Sequence, residues 1–156
     1  NTGYPLLDEG AKPVAPSIAQ TARDAASEAA RGKSDLFVMD APKDCYPAQV
    51  FYHDLNADVH GNTFCALENA KLGIALKLSF NKQEVPFFTQ WKSIASGDYV
   101  MGLEPGNCHV EGMDKERARG TLQVLKAGET RSVTITLDVL SGVEELAALQ
   151  REAQSL

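Results

Sequence analysis

Arg131-Ser132-Val133-Thr134-Ile135-Thr136-Leu137-Asp138-Val139-Leu140 is the stretch on which the fold turns. Val133, Ile135, Leu137 and Val139 alternate with Ser132, Thr134, Thr136 and Asp138. A period of two puts one apolar and one polar face on a half-buried β-strand. Just upstream, residues 121–125 (TLQVL) read as a partner strand, and Lys126-Ala127-Gly128-Glu129 supplies a short loop with a glycine, so a hairpin is expected. Further back, Ile74, Leu76, Leu78 and Phe80 alternate with Ala75, Lys77 and Ser79 after a strand around residues 63–68, a second antiparallel pair. Residues 48–55, 87–92 and 98–104 add three short segments rich in Phe, Tyr, Val and Trp, each bounded by Pro, Gly or Asn. The pattern predicts a mainly β fold, an antiparallel β-sandwich.

Two segments break that period. Residues 21–31 are rich in Ala and end at Gly32, which favours a short helix. Ser141 with Glu144 three residues on forms a capping box, and Val143, Leu146, Ala147 and Gln150 trace one face of a short terminal helix over residues 141–156. With no internal repeat and no low-complexity linker, the 156 residues are expected to form a single β-sandwich unit, 1–156.

The composition, 44% hydrophobic and 23% charged, is that of an average globular protein and excludes a disordered or coiled-coil chain. A net charge of -6 without any run of Lys or Arg argues against nucleic acid as a partner. No apolar run approaches the roughly 20 residues that span a bilayer, and no signal-peptide pattern is present, so neither a membrane nor export is expected and the cytoplasm is the expected location. Cys45, Cys65 and Cys108 are odd in number and widely spaced, a pattern of reduced thiols. The 3 histidines show no metal-ligand spacing, and no phosphate-binding glycine loop or nucleophile elbow occurs, so no metal and no cofactor are expected. Asn1 in place of Met suggests a processed product or a piece of a longer chain.

Candidate chemistry gathers at few positions. Glu104 lies at the end of the apolar run Val100-Met101-Gly102-Leu103, with Pro105-Gly106 following. A strand end holds a side chain rigidly beside room for a ligand, and burial there would raise the carboxyl towards neutrality as a general base. A surface or ion-paired Glu is the plainer reading. His53 and Asp54 are adjacent on a strand and so point to opposite faces. His53 fits a proton donor or a sugar-hydroxyl partner, or equally a locally satisfied imidazole. Gln90-Trp91-Lys92 places the single Trp of the chain between two long polar side chains. That suits stacking on a sugar ring with hydrogen bonds to its hydroxyls, or a core Trp with solvated neighbours.

Four ordered segments carry a resemblance: Asn1-Thr2-Gly3-Tyr4-Pro5-Leu6-Leu7-Asp8-Glu9-Gly10, Gln49-Val50-Phe51-Tyr52-His53-Asp54-Leu55, Gln90-Trp91-Lys92 and Gly102-Leu103-Glu104-Pro105-Gly106-Asn107-Cys108. Together, up to about Leu140, they resemble an uncharacterised bacterial family related to aldose 1-epimerases, similar to galactose mutarotase. The resemblance implies a place in the C-terminal half of a longer mutarotase-like supersandwich. It implies a carbohydrate substrate whose anomers are interconverted with Glu104 as base, the acid being a His two residues before Asn1. It also implies ring and hydroxyl contacts from Gln90, Trp91, Lys92, His53 and Asp54, with Lys92 and Asn107 biasing the ligand towards an acidic or phosphorylated sugar. A chain without that upstream His would be inactive alone, and copies of such a piece would self-associate through exposed sheet edges. The alternatives from other classes are a non-catalytic carbohydrate-binding module and a structural β-sandwich fragment.

Overall fold

A computed structural model of the chain describes residues 7–31 and 37–156. Residues 1–6 of the first resembling segment, and Gly32 at the expected helix end, lie outside the described residues. The strands are β1 (Lys12–Val14), β2 (Ser17–Ala22), β3 (Gln49–Leu55), β4 (Asn62–Asn69), β5 (Ile74–Asn81), β6 (Phe87–Ala95), β7 (Asp98–Gly106) and β8 (Ile135–Ser141). The helices are α1 (Ala25–Ala30), α2 (Met113–Arg119) and α3 (Val143–Ser155).

The strands form two antiparallel four-stranded sheets, β1-β4-β5-β8 and β2-β3-β6-β7. The inner faces meet in two clusters, Leu55, Cys65, Phe80, Val85 and Phe88 in one, and Ala11, Met39, Leu67, Ile94 and Met101 in the other. Because side chains alternate, β4 also turns Phe64 and Ala66 to its other face, where they meet Leu146 and Leu149 of α3. Lys77 of β5 ties α3 down through Glu152 at 2.6 Å.

The segments expected at 63–68, 74–80, 48–55, 87–92 and 98–104 are all strands. β7 runs two residues past Glu104, through Pro105 and Gly106, which an edge strand tolerates because one side of its backbone needs no donor. The expected hairpin is not formed. β8 pairs instead with β5, setting Val139 opposite Leu76, Leu137 opposite Leu78 and Ile135 opposite Phe80. A matched apolar row outcompetes local pairing. The loop expected at 126–129 does turn, with Glu129 N–H donating to the Lys126 carbonyl at 3.0 Å, but residues 121–125 join no ladder. Thr121 instead closes α2, its hydroxyl donating to Glu116 Oε2 at 2.7 Å.

β8 is not half-buried as its period suggests. Its row faces the sandwich interior, yet Leu137 and Val139 are 63% and 74% exposed, because sheet β2-β3-β6-β7 ends at β7 over β4 and no strand among the described residues covers β8. The capping box is also replaced: Gly142 at φ 85° is the N-cap, and Ser141 N–H donates to Glu145 rather than the hydroxyl capping the helix. The buried stripe of α3 is Leu146 and Leu149, while Val143 is exposed.

No helix of the structure is long and apolar enough to cross a membrane. Cys45 and Cys108 are exposed, whereas Cys65 is fully buried and its thiol is pushed up to about 12 by burial. An alkylating reagent at neutral pH should therefore label two thiols in the native protein, Cys65 reacting only after denaturation. Intact-mass analysis showing three labels on native protein would contradict this burial.

Candidate functional site

Strand pairing sorts the candidate residues onto two faces of one sheet. Directly across the four strands run Thr21, Tyr52, Thr89 and Glu104, and in the next row Val50, Trp91 and Gly102. All lie on the face turned away from the core. His53, Gln90 and Lys92 alternate with them and point inwards. The structure therefore brings Glu104 and Trp91 together and keeps His53, Gln90 and Lys92 away from any ligand lying over them.

Lys92 is 1% exposed, and its ammonium donates to the Val38 carbonyl at 2.6 Å with Asp40 at 3.8 Å, an anchor for the chain running past the sheet edge. Gln90 is equally buried. His53 lies between Phe88 and the edge of Phe37, its Nδ1 3.0 Å from Ser17 Oγ. Asp54 is exposed on the outer face but is held by Lys82 at 2.9 Å. Asn107 is exposed beyond β7 and belongs to a larger cleft of about 760 Å³ walled by Val124, Leu125, Val133 and Ile135. That cleft is the open side of the sandwich, and its acid Glu84 is occupied in holding Arg131 and Thr134.

Burial pulls the His53 imidazole down to about 4, against a smaller raising effect of Gln90. A folded value below the unfolded one means that stability is full above the ordinary histidine range near 6.5 and is lost as pH falls from there to about 4. The loss should total about 3 kcal/mol. Urea unfolding from pH 7.5 to 4 should show a shallower acid limb for His53→Gln than for the unmodified protein, and parallel curves would remove His53 as the cause.

The outer face holds a depression of about 180 Å³ lined by Arg23, Val50, Thr89, Trp91, Glu104 and Val110. Glu104 is half-buried there, and its carboxylate makes no hydrogen bond or ion pair with another described residue. Arg23 reaches this place because the chain leaves β2 with its N–H still bonded to the Val50 carbonyl at 3.0 Å, and its guanidinium pairs with Asp24 at 2.7 Å. Asp24 in turn caps α1, accepting from Ser27 N–H at 2.8 Å, which holds its carboxyl down to about 2.

Val110, which completes the lining, belongs to the segment running from His109 to α2. The His109 ring lies on Tyr52 and Phe87, centroids 4.1 and 4.5 Å away. Glu116, 2% exposed, fastens this segment by accepting from His109 N–H at 3.3 Å, Arg119 at 3.2 Å and the Thr121 hydroxyl. Those partners, Thr121 foremost, lower its carboxyl below the ordinary range. Arg119 also pairs with Glu111. Burial, with Glu111 adding to it, pushes the Tyr52 phenol up to about 12, and burial lowers His109. Both are neutral at pH 7. Among the described residues no three His, Cys, Asp or Glu side chains gather as a metal site.

Sequence reading missed Tyr52, Thr89, Arg23 and His109 as members of this face. Tyr52 stands inside a quoted segment and His109 directly after one, and the signal that finds Tyr52 is register: Tyr52 and Glu104 fall in one row only once β3, β6 and β7 are aligned.

The architecture is an antiparallel β-sandwich whose fold a solved protein shares. A crystal structure from Klebsiella pneumoniae subsp. pneumoniae MGH 78578, described as a "putative aldose 1-epimerase", superposes with a TM-score of 0.88 at 22% identity, covering 98% of this chain. This chain spans 40% of that protein's length. Residues 1–139 match the family described as "Domain of unknown function (DUF4432)", and the chain belongs to that family. No curated protein matches it.

Proposed function

We propose that the protein acts on a carbohydrate bound against the outer face of β2-β3-β6-β7 and interconverts its anomers, with Glu104 as the base. The observation that carries this reading is the placement of a half-buried carboxylate, without a hydrogen-bond or ion-pair partner among the described residues, beside Trp91 and one strand from Thr89. An indole offers a flat apolar face to the ring, hydroxyls orient it, and an uncommitted carboxylate can take a proton. The fold shared with the Klebsiella pneumoniae protein described as a "putative aldose 1-epimerase" supports the same reading.

In the reaction Glu104 removes the proton of the anomeric hydroxyl while a general acid, the His upstream of Asn1 that the family resemblance implies, gives one to the ring oxygen and takes it back on reclosure. The bond from C1 to the ring oxygen breaks, giving the open aldehyde. Rotation about C1–C2 and reclosure on the other carbonyl face return both protons and yield the second anomer. Tyr52, on which His109 lies, is two strand spacings or about 10 Å from Glu104 across the sheet. Buried Thr89 fills the row between them, so in this reading the sugar ring lies over Trp91 and Glu104 at the mouth of the depression, with Thr89 in its floor.

Two-dimensional exchange NMR on a panel of aldoses and sugar phosphates, using the longest natural polypeptide containing this chain, tests the proposal. Accelerated exchange for at least one sugar is the expected result. Saturable binding without acceleration would assign the face to carbohydrate binding alone, and neither effect would dismiss it as a sugar site.

A further inference from the structure

Gly102 is an anomaly in β7. It sits inside a strand, where glycine weakens the ladder, and its backbone is not in the left-handed region that would demand glycine. The surroundings supply the reason. A Cβ built at Gly102 would come 2.5 Å from Glu104 Oε1 and 3.4 Å from Glu104 Cδ, with Trp91 Cβ at 3.3 Å. Gly102 is directly opposite Trp91 and two residues before Glu104 on the same face. The missing side chain thus leaves a notch, and the Glu104 carboxylate bends back along the strand into it.

The geometry points to Gly102 as the positioning residue for Glu104. This rests on the reading of Glu104 as the base. No hydrogen bond or ion pair among the described residues fixes that carboxylate, so its place beside the indole is set by the space left open under it. A carboxylate placed by a notch keeps its lone pairs for the substrate, whereas one placed by an Arg or Lys would be held in its charged form and partly occupied.

Gly102→Ala is the test, since one methyl fills the notch. The clashing atom is the far end of a flexible side chain, so the strand absorbs the methyl by turning Glu104 away, and Gly→Ala in ordinary extended backbone also narrows the unfolded ensemble. The variant should melt at or slightly above the temperature of the unmodified protein. Its Glu104 side-chain Cδ resonance, assigned by its loss in Glu104→Gln, should move. Anomer exchange in the longest natural polypeptide should fall at least tenfold in kcat with a smaller change in KM. An unmoved Glu104 resonance would overturn the placement, and a moved resonance with unchanged exchange would overturn its role in the reaction. If the unmodified protein accelerates no sugar, the anomer-exchange proposal fails, while the resonance alone still decides whether Gly102 places Glu104.

Discussion

Glu104→Gln should lower anomer exchange by roughly 100- to 10,000-fold, the range that a single general base contributes. The fold should survive. Glu104 is half-buried on an outer face and makes no hydrogen bond or ion pair with another described residue, so the amide leaves no buried partner stranded. Sugar affinity should change little, because Gln keeps the size and the hydrogen-bonding reach of Glu. Comparing kcat, KM and melting temperature separates the possibilities. Loss of exchange with an unchanged melting temperature supports the base, and full exchange in the variant removes Glu104 from the reaction.

Lys92→Ala should do the opposite, costing stability and leaving ligand binding alone. Its side chain is buried at 1% exposure, donates to the Val38 carbonyl at 2.6 Å and lies 3.8 Å from Asp40. Truncation opens a cavity and strands an acceptor carbonyl, a combined loss of about 3 kcal/mol. In a domain of this size that corresponds to roughly 6–12 °C in melting temperature. Lys92→Met, which refills the volume without the donor, should recover part of the loss. Binding to the folded variants should match the unmodified protein, because Lys92 and Trp91 point to opposite faces of β6. A normal melting temperature with weakened sugar binding would instead place Lys92 at the ligand, as the family resemblance implies.

Those two neighbours show where sequence reading works and where it stops. Alternation alone shows that Trp91 differs in side from Gln90 and Lys92, but not which side is the core. Pairing decides it, by setting Gln90 opposite Phe51 and Leu103, both inward. Strands with strong period and good turn residues, such as β4, β5 and β6, are legible. β1 and β2 are not, since Pro13 and Pro16 interrupt two short runs that only the longer strands β4 and β3 make regular. α2 hides because Met-Asp-Lys-Glu-Arg-Ala-Arg has no apolar stripe; it is fastened by Glu116, Arg119 and the ion pair of Arg117 with Asp114 at 3.0 Å. Glu104 stands out at once beside Pro105, whereas its neighbours Tyr52, Thr89 and Arg23 come from strands distant in sequence. A site made of one residue per strand is invisible until the ladder is assembled.

The two-sided use of β6 bears on how this protein can change length over generations. A single codon gained or lost within residues 87–95 would turn the indole of Trp91 inwards and the ammonium of Lys92 outwards, damaging interior and outer face in one event. Residues 122–134 carry no such burden, as no ladder fixes their spacing. Inherited insertions and deletions should therefore collect in that segment and be purged from β3, β6 and β7, so that the chain varies in length on one flank while the row of Tyr52, Thr89 and Glu104 keeps its spacing.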